Sequence, residues 1–328
     1  MLVDGFGRTH DNLRISVTDR CNIRCFYCMP EQGVEYLPRS EILSFEEIER
    51  VARIAVDLGI RKARVTGGEP LVRKGLAGLI RRLARIPGIE DLALTTNAVL
   101  LAGQAESLYQ AGLRRINIHL DTLDRARFAR ITRRDELEQV LEGVEAARRL
   151  GFGPIKINAV AVKGLTEPDV VPLARWGRER GLEIRFIEFM PLDAQGLWDR
   201  GAVLTAGEMV ETLEREIGPL EPVADPDPRA PATEYRYRDG GGKVGFIASV
   251  SRPFCLNCNR VRLTADGKLR YCLFALEETD LLTLLRGGAG DQEIAEAVRA
   301  TVRRKWEGHE INTSRFVAPP RPMYAIGG

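Results

Sequence analysis

Residues 13–28 read "LRISVTDRCNIRCFYC", an apolar run followed by a polar turn and three cysteines. The run is rich in Leu, Ile and Val, which is typical of a strand buried on both faces. The three cysteines, Cys21, Cys25 and Cys28, follow one another at spacings of four and three residues. The stretch therefore predicts a buried strand whose carboxyl end opens into a cysteine loop.

The alternation of apolar runs and polar turns continues through the first 190 residues. The runs are "LRISV" (13–17), "KARVT" (62–66), "LALTT" (92–96), "RINIHL" (115–120), "IKINAVAV" (155–162) and "EIRFIEF" (183–189). Amphipathic segments separate them, at residues 44–57, 76–86, 102–111, 137–150 and 168–180. The first segment opens with Ser44 and Glu47 at the spacing of a capping box. This strand–helix alternation predicts a parallel sheet, either open and doubly wound or curled into a barrel.

The turns decide between those two sheets. A polar or glycine-rich turn follows every run, whereas a doubly wound sheet concentrates such turns at one switch point. The predicted fold class is therefore α/β, an incomplete (β/α)6 TIM-like barrel with an open side. After residue 190 the pattern changes to a Pro/Asp-rich loop at 221–231, a hairpin turn at glycines 240–242 and a helix near 291–305. We expect a barrel domain at residues 1–194 and a smaller C-terminal region at 195–328 that closes the open side.

Composition narrows the class of protein. Lys and Arg number 48 against 46 Asp and Glu, a net charge of +2 that indicates neither a nucleic-acid nor a membrane partner. No apolar run approaches the roughly 18–20 residues that cross a bilayer, and the first ten residues lack the apolar core of a secretory signal. We expect a cytoplasmic enzyme. Disulfides are rare in that compartment, so the six cysteines predict metal ligation.

Three cysteines are one fewer than a structural metal site usually supplies. A cubane iron–sulfur cluster has four irons, so three thiolates leave one iron open to a small molecule, as a catalytic zinc keeps one position free. Zinc with a borrowed fourth ligand is the alternative, although His10, His119 and His309 do not stand at zinc-finger spacing. The second triplet, Cys255, Cys258 and Cys272, leaves the same two alternatives open, an iron–sulfur cluster or zinc. The zinc alternative is a zinc ribbon that lacks one ligand.

"CNIRCFYC" resembles the signature of the radical S-adenosylmethionine superfamily, and "TGGEP" (66–70) resembles its second motif. The resemblance implies that the first triplet binds a 4Fe-4S cluster whose open iron binds S-adenosylmethionine, which is cleaved to a 5′-deoxyadenosyl radical. It also implies a set of contacts to S-adenosylmethionine, made by Tyr27, Gly68, Glu69, His119 and Met190. His119 departs from the family, which has Ser in this "HLD" stretch.

"CLNCNRVRL" (255–263), Cys272 and "RPMYAIGG" (321–328) resemble the GTP 3′,8-cyclase family from end to end. That resemblance implies a second 4Fe-4S cluster and GTP as substrate. In the family, the radical takes the 3′ hydrogen of GTP and the ribose radical attacks guanine C8. The product is (8S)-3′,8-cyclo-7,8-dihydroguanosine 5′-triphosphate, and this lyase reaction is the first step of molybdenum cofactor (molybdopterin) biosynthesis.

The resemblance also implies the residues that meet GTP. Arg14, Arg260 and Arg262 are the candidate catalytic residues, and the substrate contacts are Arg14, Arg64, Thr95, Lys156, Arg260, Val261 and Arg262. Arg260 and Arg262 stand two apart, so on a strand they share one face, where paired guanidiniums suit a polyphosphate; a solvated strand face is the alternative. Gly327 and Gly328 are expected to reach into the active site.

Expected partners are GTP, an external reductant and, by product hand-off, a downstream pyranopterin monophosphate synthase. No nucleic-acid or membrane partner is expected, and the sequence leaves a homodimer open. Two other classes of protein fit the sequence less well. A peptide-maturing radical enzyme typically carries more C-terminal cysteines, and a zinc-stabilised nucleic-acid-binding protein would carry a basic run.

Overall fold

The structure is a computed structural model that describes residues 1–327, so the predicted tail residue Gly328 lies outside the described residues. The strands are β1 Leu2–Val3, β2 Thr9–His10, β3 Asn12–Ser16, β4 Lys62–Thr66, β5 Asp91–Thr96, β6 Arg115–His119, β7 Ile155–Ala161, β8 Glu183–Glu188, β9 Leu220–Pro222, β10 Thr233–Tyr237, β11 Lys243–Ile247, β12 Arg260–Leu263, β13 Lys268–Arg270 and β14 Thr279–Asp280. The helices are α1 Phe45–Asp57, α2 Leu76–Ala84, α3 Ala105–Gln110, α4 Arg125–Thr132, α5 Leu137–Arg149, α6 Val170–Arg180, α7 Ala206–Glu216, α8 Leu281–Arg286, α9 Asp291–Arg303 and α10 Met323–Ile326.

Strands β3 to β8 lie side by side in sequence order, and every neighbouring pair is parallel. Each of the six apolar runs forms one of these strands, within about one residue at either end. Helices follow the strands and cover the sheet with apolar side chains, which gives one large core. The predicted α/β fold with a mostly parallel central sheet is confirmed.

Residues after 190 extend this sheet at both edges. β11 pairs parallel with β8 and continues into β10 and β9, while β12 pairs parallel with β3 and continues into β13 and β14. The result is an open 12-stranded sheet with β9 and β14 at its edges, and these two do not pair with each other in the part of the chain described here. The pairing of β12 with β3 brings the second cysteine segment beside the first strand.

The predicted capping box begins α1. The Ser44 hydroxyl accepts from the Glu47 amide at 3.1 Å, and the Ser44 amide donates to the Glu47 carboxylate at 2.6 Å. The predicted hairpin at glycines 240–242 joins antiparallel β10 and β11. None of the helices in residues 1–327 combines the length and apolar character that a bilayer crossing requires.

Candidate active site

Two cavities adjoin at the carboxyl ends of the central strands. The first has a volume of about 200 Å³ and the second about 170 Å³. Each cavity is lined by one complete cysteine triplet, Cys21, Cys25 and Cys28 in the first and Cys255, Cys258 and Cys272 in the second. The residues that line both are Thr95, Asn158, Ile187, Met190 and Met323. The sheet therefore brings together two triplets that the sequence separates by more than 220 residues.

All six thiols are free of disulfides. Within residues 1–327, no three His, Cys, Asp or Glu side chains converge on a position for a single metal ion. A cubane cluster places each thiolate on a different iron, so three thiols around one cavity suit it without converging on a point. The donor set, three cysteine thiols among the described lining residues of each cavity, fits a 4Fe-4S cluster with one open iron.

Glycines bring the turn after β4 against the turn after β3. A side-chain carbon at Gly68 would lie 2.5 Å from the carbonyl oxygen of Arg20, and one at Gly67 would lie 2.7 Å from that of Thr18. The Gly68 amide donates to the Thr18 carbonyl at 2.7 Å. No larger residue fits at either position, and both glycines line the first cavity.

Glu69 is buried behind this turn. Its carboxylate accepts from the Leu71 amide at 2.9 Å, the Thr96 hydroxyl at 2.7 Å and the Asn97 amide at 2.6 Å. Burial raises the pKa of Glu69 to about 7 against the effect of these donors. The carboxylate thus ties the turn after β4 to the end of β5 and does not itself line the first cavity.

His119 lines the first cavity within a three-residue network. Its Nε2 lies 2.6 Å from the Tyr27 hydroxyl and 3.2 Å from Asp121 Oδ2, and the Tyr27 hydroxyl donates to the same carboxylate at 2.5 Å. The Val160 amide donates to Asp121 Oδ1 at 2.7 Å. Burial lowers the pKa of His119, but the charge and hydrogen bond of Asp121 together with Cys25 outweigh burial and raise it overall. The sequence did not predict Asp121, although it is the last residue of the "HLD" stretch.

The second cavity holds a row of guanidinium groups. In the strand register, Arg14 on β3 lies between Arg262 on β12 and Arg64 on β4, and all three line the cavity with Arg260. No carboxylate in the described chain forms an ion pair with any of the four. Burial and the neighbouring guanidiniums lower the pKa of Arg14 and lower that of Arg64 to about 10. The buried Nε of Arg14 lacks a hydrogen-bond partner in residues 1–327.

Two other predicted substrate contacts lie elsewhere. The Lys156 ammonium is 3.2 Å from Glu183 and 3.6 Å from Glu234, and the residue lines neither cavity. Val261 lies between the two β12 arginines, so its side chain faces the opposite way and packs in the main core. Thr95, in contrast, lines both cavities.

Basic groups surround the second triplet. The Cys258 sulfur accepts from Arg260 Nη2 and from Lys305 Nζ, each at 3.3 Å. Burial raises the pKa of Cys258, but Arg260 and Lys305 outweigh burial and lower it to about 6. Arg8 donates to the carbonyl oxygens of Cys255 and Glu307, both at 2.7 Å, and so braces the segment from outside.

The end of the chain packs across both cavities. Met323 lines each of them, and Tyr324 lines the first together with Cys28. Arg262 Nη1 donates to the carbonyl oxygen of Gly327 at 3.0 Å. Gly327 has φ 86°, and a side-chain carbon there would lie 2.6 Å from Cβ of Ser16. Only glycine satisfies both conditions at this position.

Glu188 at the end of β8 is a residue that the sequence analysis missed. Its buried carboxylate accepts from the amides of Ala206, Val250 and Ser251, at 2.9, 2.7 and 2.7 Å. Glu188 lines the first cavity and holds α7 and the segment after β11 in place. The sequence signal for Glu188 is its position alone, at the carboxyl end of the last central strand.

Comparisons with known proteins agree with this geometry. The radical SAM superfamily model matches residues 15–177, and the model "Molybdenum Cofactor Synthesis C" matches residues 182–311. The GTP 3′,8-cyclase of Rhodopirellula baltica is 50% identical over 330 residues, covering 100% of this chain and 92% of that protein. The GTP 3′,8-cyclase of Thermodesulfovibrio yellowstonii is 46% identical over 326 residues, covering 99% of each.

Solved structures extend the likeness to the fold alone. SuiB from Streptococcus suis matches with a TM-score of 0.60 at 13% identity, covering 93% of this chain and 68% of that chain. The same protein bound to S-adenosylmethionine matches with a TM-score of 0.58 at 14% identity, covering 84% and 65%.

Proposed function

The chain belongs to the GTP 3′,8-cyclase family of radical SAM enzymes, and from that premise we propose how its two cavities share the reaction. Cys21, Cys25 and Cys28 would hold a 4Fe-4S cluster in the first cavity, beside S-adenosylmethionine. Cys255, Cys258 and Cys272 would hold a second 4Fe-4S cluster in the second cavity, where GTP would bind. The enzyme joins C3′ of the ribose to C8 of guanine, the first step towards molybdopterin.

One observation carries the proposal, the row of Arg14, Arg64 and Arg262 in the second cavity, which lacks carboxylate partners. Crowded, at least half-buried guanidiniums without carboxylates are costly unless a ligand supplies negative charge. A triphosphate supplies that charge, and Arg binds phosphate oxygens in bidentate fashion. The row therefore supports binding of a nucleoside triphosphate beside the second cluster.

The residues of the first cavity orient S-adenosylmethionine. When bound, this cofactor and its cluster supply the species that removes the 3′ hydrogen of GTP. Gly68 offers its backbone and Met190 its apolar side chain, while Tyr27 and His119 present polar atoms held by Asp121. Glu69 holds the turn after β4 and lies beneath the expected position of the methionine amino group.

The remaining predicted contacts join the proposal in modified roles. Thr95 lines both cavities, so it lies where C3′ of GTP in the second cavity would face S-adenosylmethionine in the first. Val261 contributes its backbone between Arg260 and Arg262. Lys156 acts on GTP indirectly, because Glu183 and Glu234 pair both with Lys156 and with Arg185, which lines the second cavity. Gly327, whose carbonyl oxygen accepts from Arg262, and Gly328 order the substrate.

At the level of domains, we propose that residues 1–194 form an incomplete six-strand barrel and that residues 195–328 close its open side. Both cavities would then exclude water around a reactive intermediate, which protects it from side reactions. Six unpaired cysteines fit a reducing cytoplasm. An external reductant, hand-off to pyranopterin monophosphate synthase and self-association as a homodimer complete the proposal.

GTP deuterated at C3′ tests the function. The anaerobically reconstituted protein, with S-adenosylmethionine and dithionite, should yield the 3′,8-cyclic product and move deuterium into 5′-deoxyadenosine. ATP serves as the matched nucleotide control and should give no cyclic product. The proposal is wrong if 5′-deoxyadenosine forms without deuterium or if ATP is cyclised equally well.

A further inference from the structure

Lys305 is a buried cation that the proposed reaction does not use. It follows α9, its residue is 4% exposed, and its ammonium donates to the Arg260 carbonyl at 2.8 Å and to the Cys258 sulfur at 3.3 Å. Over residues 1–327, no carboxylate forms an ion pair with it. Other charges near it are also positive, because the Arg260 guanidinium contacts the same Cys258 sulfur.

A buried ammonium needs negative charge nearby, since its solvation by water is lost. The only candidates around Lys305 in the described chain are the sulfurs of Cys258 and Cys272. A neutral thiol is a poor partner for an ammonium, whereas a metal-bound thiolate is a good one. Three thiolates more than offset the charge of an iron–sulfur core, so the loaded triplet is anionic. Lys305 and the loaded second triplet therefore neutralise each other.

The first triplet is surrounded differently. In residues 1–327 no Lys or Arg side chain donates to any of its sulfurs, and its Cys25 lies beside His119. The sulfur of Cys21 has a side-chain amide as its neighbour, Asn97 Nδ2 at 3.7 Å. Hydrogen bonds and positive charge at cluster sulfurs favour the reduced cluster, because reduction adds negative charge. The two triplets are thus built differently around the same type of cluster.

We propose that Lys305 is a positioning residue for the second cluster, which it holds in place by balancing charge and which it makes easier to reduce. This inference rests on the proposed function, because it requires a cluster on Cys255, Cys258 and Cys272. Lys305 contacts Cys258, one of the proposed cluster ligands, and does not line the second cavity.

A redox titration followed by electron paramagnetic resonance tests the role. The full chain is reconstituted with a Lys305→Met exchange, which keeps a side chain of similar length and removes the charge. The midpoint potential of the second cluster should move to more negative values while that of the first stays fixed. In Lys305→Arg, the midpoint potential of the second cluster should return most of the way to the wild-type value, because the exchange gives Cys258 a cationic donor again.

Lys163→Met is the matched control, because Lys163 is 47% exposed, pairs with Glu208 and lines neither cavity. It should leave both potentials unchanged. Loss of the second cluster alone in Lys305→Met, with retention in Lys305→Arg, also supports the inference. Unchanged potentials in a Lys305→Met protein that carries both clusters overturn it and leave the proposed function intact. A wild-type protein with only the first cluster overturns the second-cluster proposal itself.

Discussion

Arg14 combines three features that rarely occur together in one side chain. It lies between two other arginines in register, its Nε is buried without a partner in residues 1–327, and its charge is opposed by Arg64, Arg260 and Arg262. Arg14 therefore destabilises the ligand-free protein, and a bound anion removes this destabilisation. Affinity and stability should respond to this residue in opposite directions.

Replacing Arg14 with Met separates those two effects. Loss of a charge-assisted phosphate contact should weaken GTP binding by about 1.5–3 kcal/mol, or roughly 10- to 150-fold. Removal of a crowded buried charge should raise the thermal midpoint of the ligand-free protein or leave it unchanged. Isothermal titration with GTP and a thermal melt measure the two quantities.

Arg185 is the matched control for Arg14, because it lines the same cavity but is paired. Its guanidinium donates to Glu183 at 2.5 Å and to Glu234 at 2.6 Å. Arg185→Met leaves both carboxylates short of a partner and should cost roughly 3 kcal/mol of unfolding free energy. If Arg14→Met destabilises the ligand-free fold as much as Arg185→Met does, Arg14 has a structural role instead.

His10 should make stability fall in mild acid. Burial lowers the pKa of His10 to about 4, and the positive charge of Lys305 acts in the same direction. Between pH 6.5 and 4 the unfolded chain takes up a proton at this residue and the folded chain does not, so stability decreases as the pH decreases. The shift corresponds to roughly 2–3 kcal/mol by pH 4.5.

Urea unfolding at several pH values measures this effect. In His10→Gln, the amide can still donate to Asp4, which His10 contacts at 3.0 Å, but the titrating group is gone. The difference in unfolding free energy between pH 7 and pH 4.5 should therefore shrink in the variant. An identical pH dependence in both proteins would mean that other groups cause the acid sensitivity.

Residues in dense local motifs could be predicted from the sequence, and residues joined only by the fold could not. The two cysteine triplets and the shared face of Arg260 and Arg262 follow from spacing. Asp121 and Lys305 carry no motif, and their contacts cross 94 and 47 residues of sequence. Register between distant strands decides such contacts, and a single sequence does not contain it.

At the scale of elements, strands buried on both faces gave the clearest signal. All six apolar runs form the central strands, because a parallel sheet is covered on both faces and buries the apolar side chains on either side of each strand. α4 was missed because three of its eight residues are arginines, even though Asp124 caps it by accepting from the Arg127 amide at 2.6 Å. α7 was missed despite a capping box at Thr205 and Glu208 of the same kind that predicted α1.

The segment formed by α10 and Gly327, called the closing segment, should tolerate no side chain at Gly327. Gly327→Ala adds a carbon 2.6 Å from Cβ of Ser16 and strains a backbone at φ 86°, so the segment must leave its position against Arg262. We expect at least about a tenfold loss of cyclic product, which corresponds to only about 1.4 kcal/mol. Iron content and cleavage of S-adenosylmethionine should persist, as chromatography of products and iron analysis would detect.

Gly207→Ala provides the comparison. Gly207 lies in α7, and no heavy atom lies within 4 Å of an added side-chain carbon. This exchange should leave product formation unchanged and add at most ~1 kcal/mol of stability. Normal product formation in Gly327→Ala would show that the segment carries no part of the reaction.

For the whole molecule, iron content tests the pairing of cavities and clusters. Wild-type protein purified without oxygen should hold about eight irons, four in each cluster. Changing Cys21, Cys25 and Cys28 to Ala should halve the iron and abolish cleavage of S-adenosylmethionine. The corresponding exchange at Cys255, Cys258 and Cys272 should halve the iron and leave some cleavage. Full iron and full activity in the second variant would rule out two clusters.

The bracing of Cys255 by Arg8 has a consequence for the order of events during protein synthesis. The two residues lie 247 positions apart, and Arg8 also needs the Glu307 carbonyl. The nascent chain thus exposes Arg8 almost at once, whereas the ribosome must pass residue 307 before the contact can form. The cavity that Cys28 lines is completed even later, because Tyr324 also lines it. Both cysteine loops therefore mature only when translation is nearly finished, and we expect iron delivery to follow translation, not to accompany it.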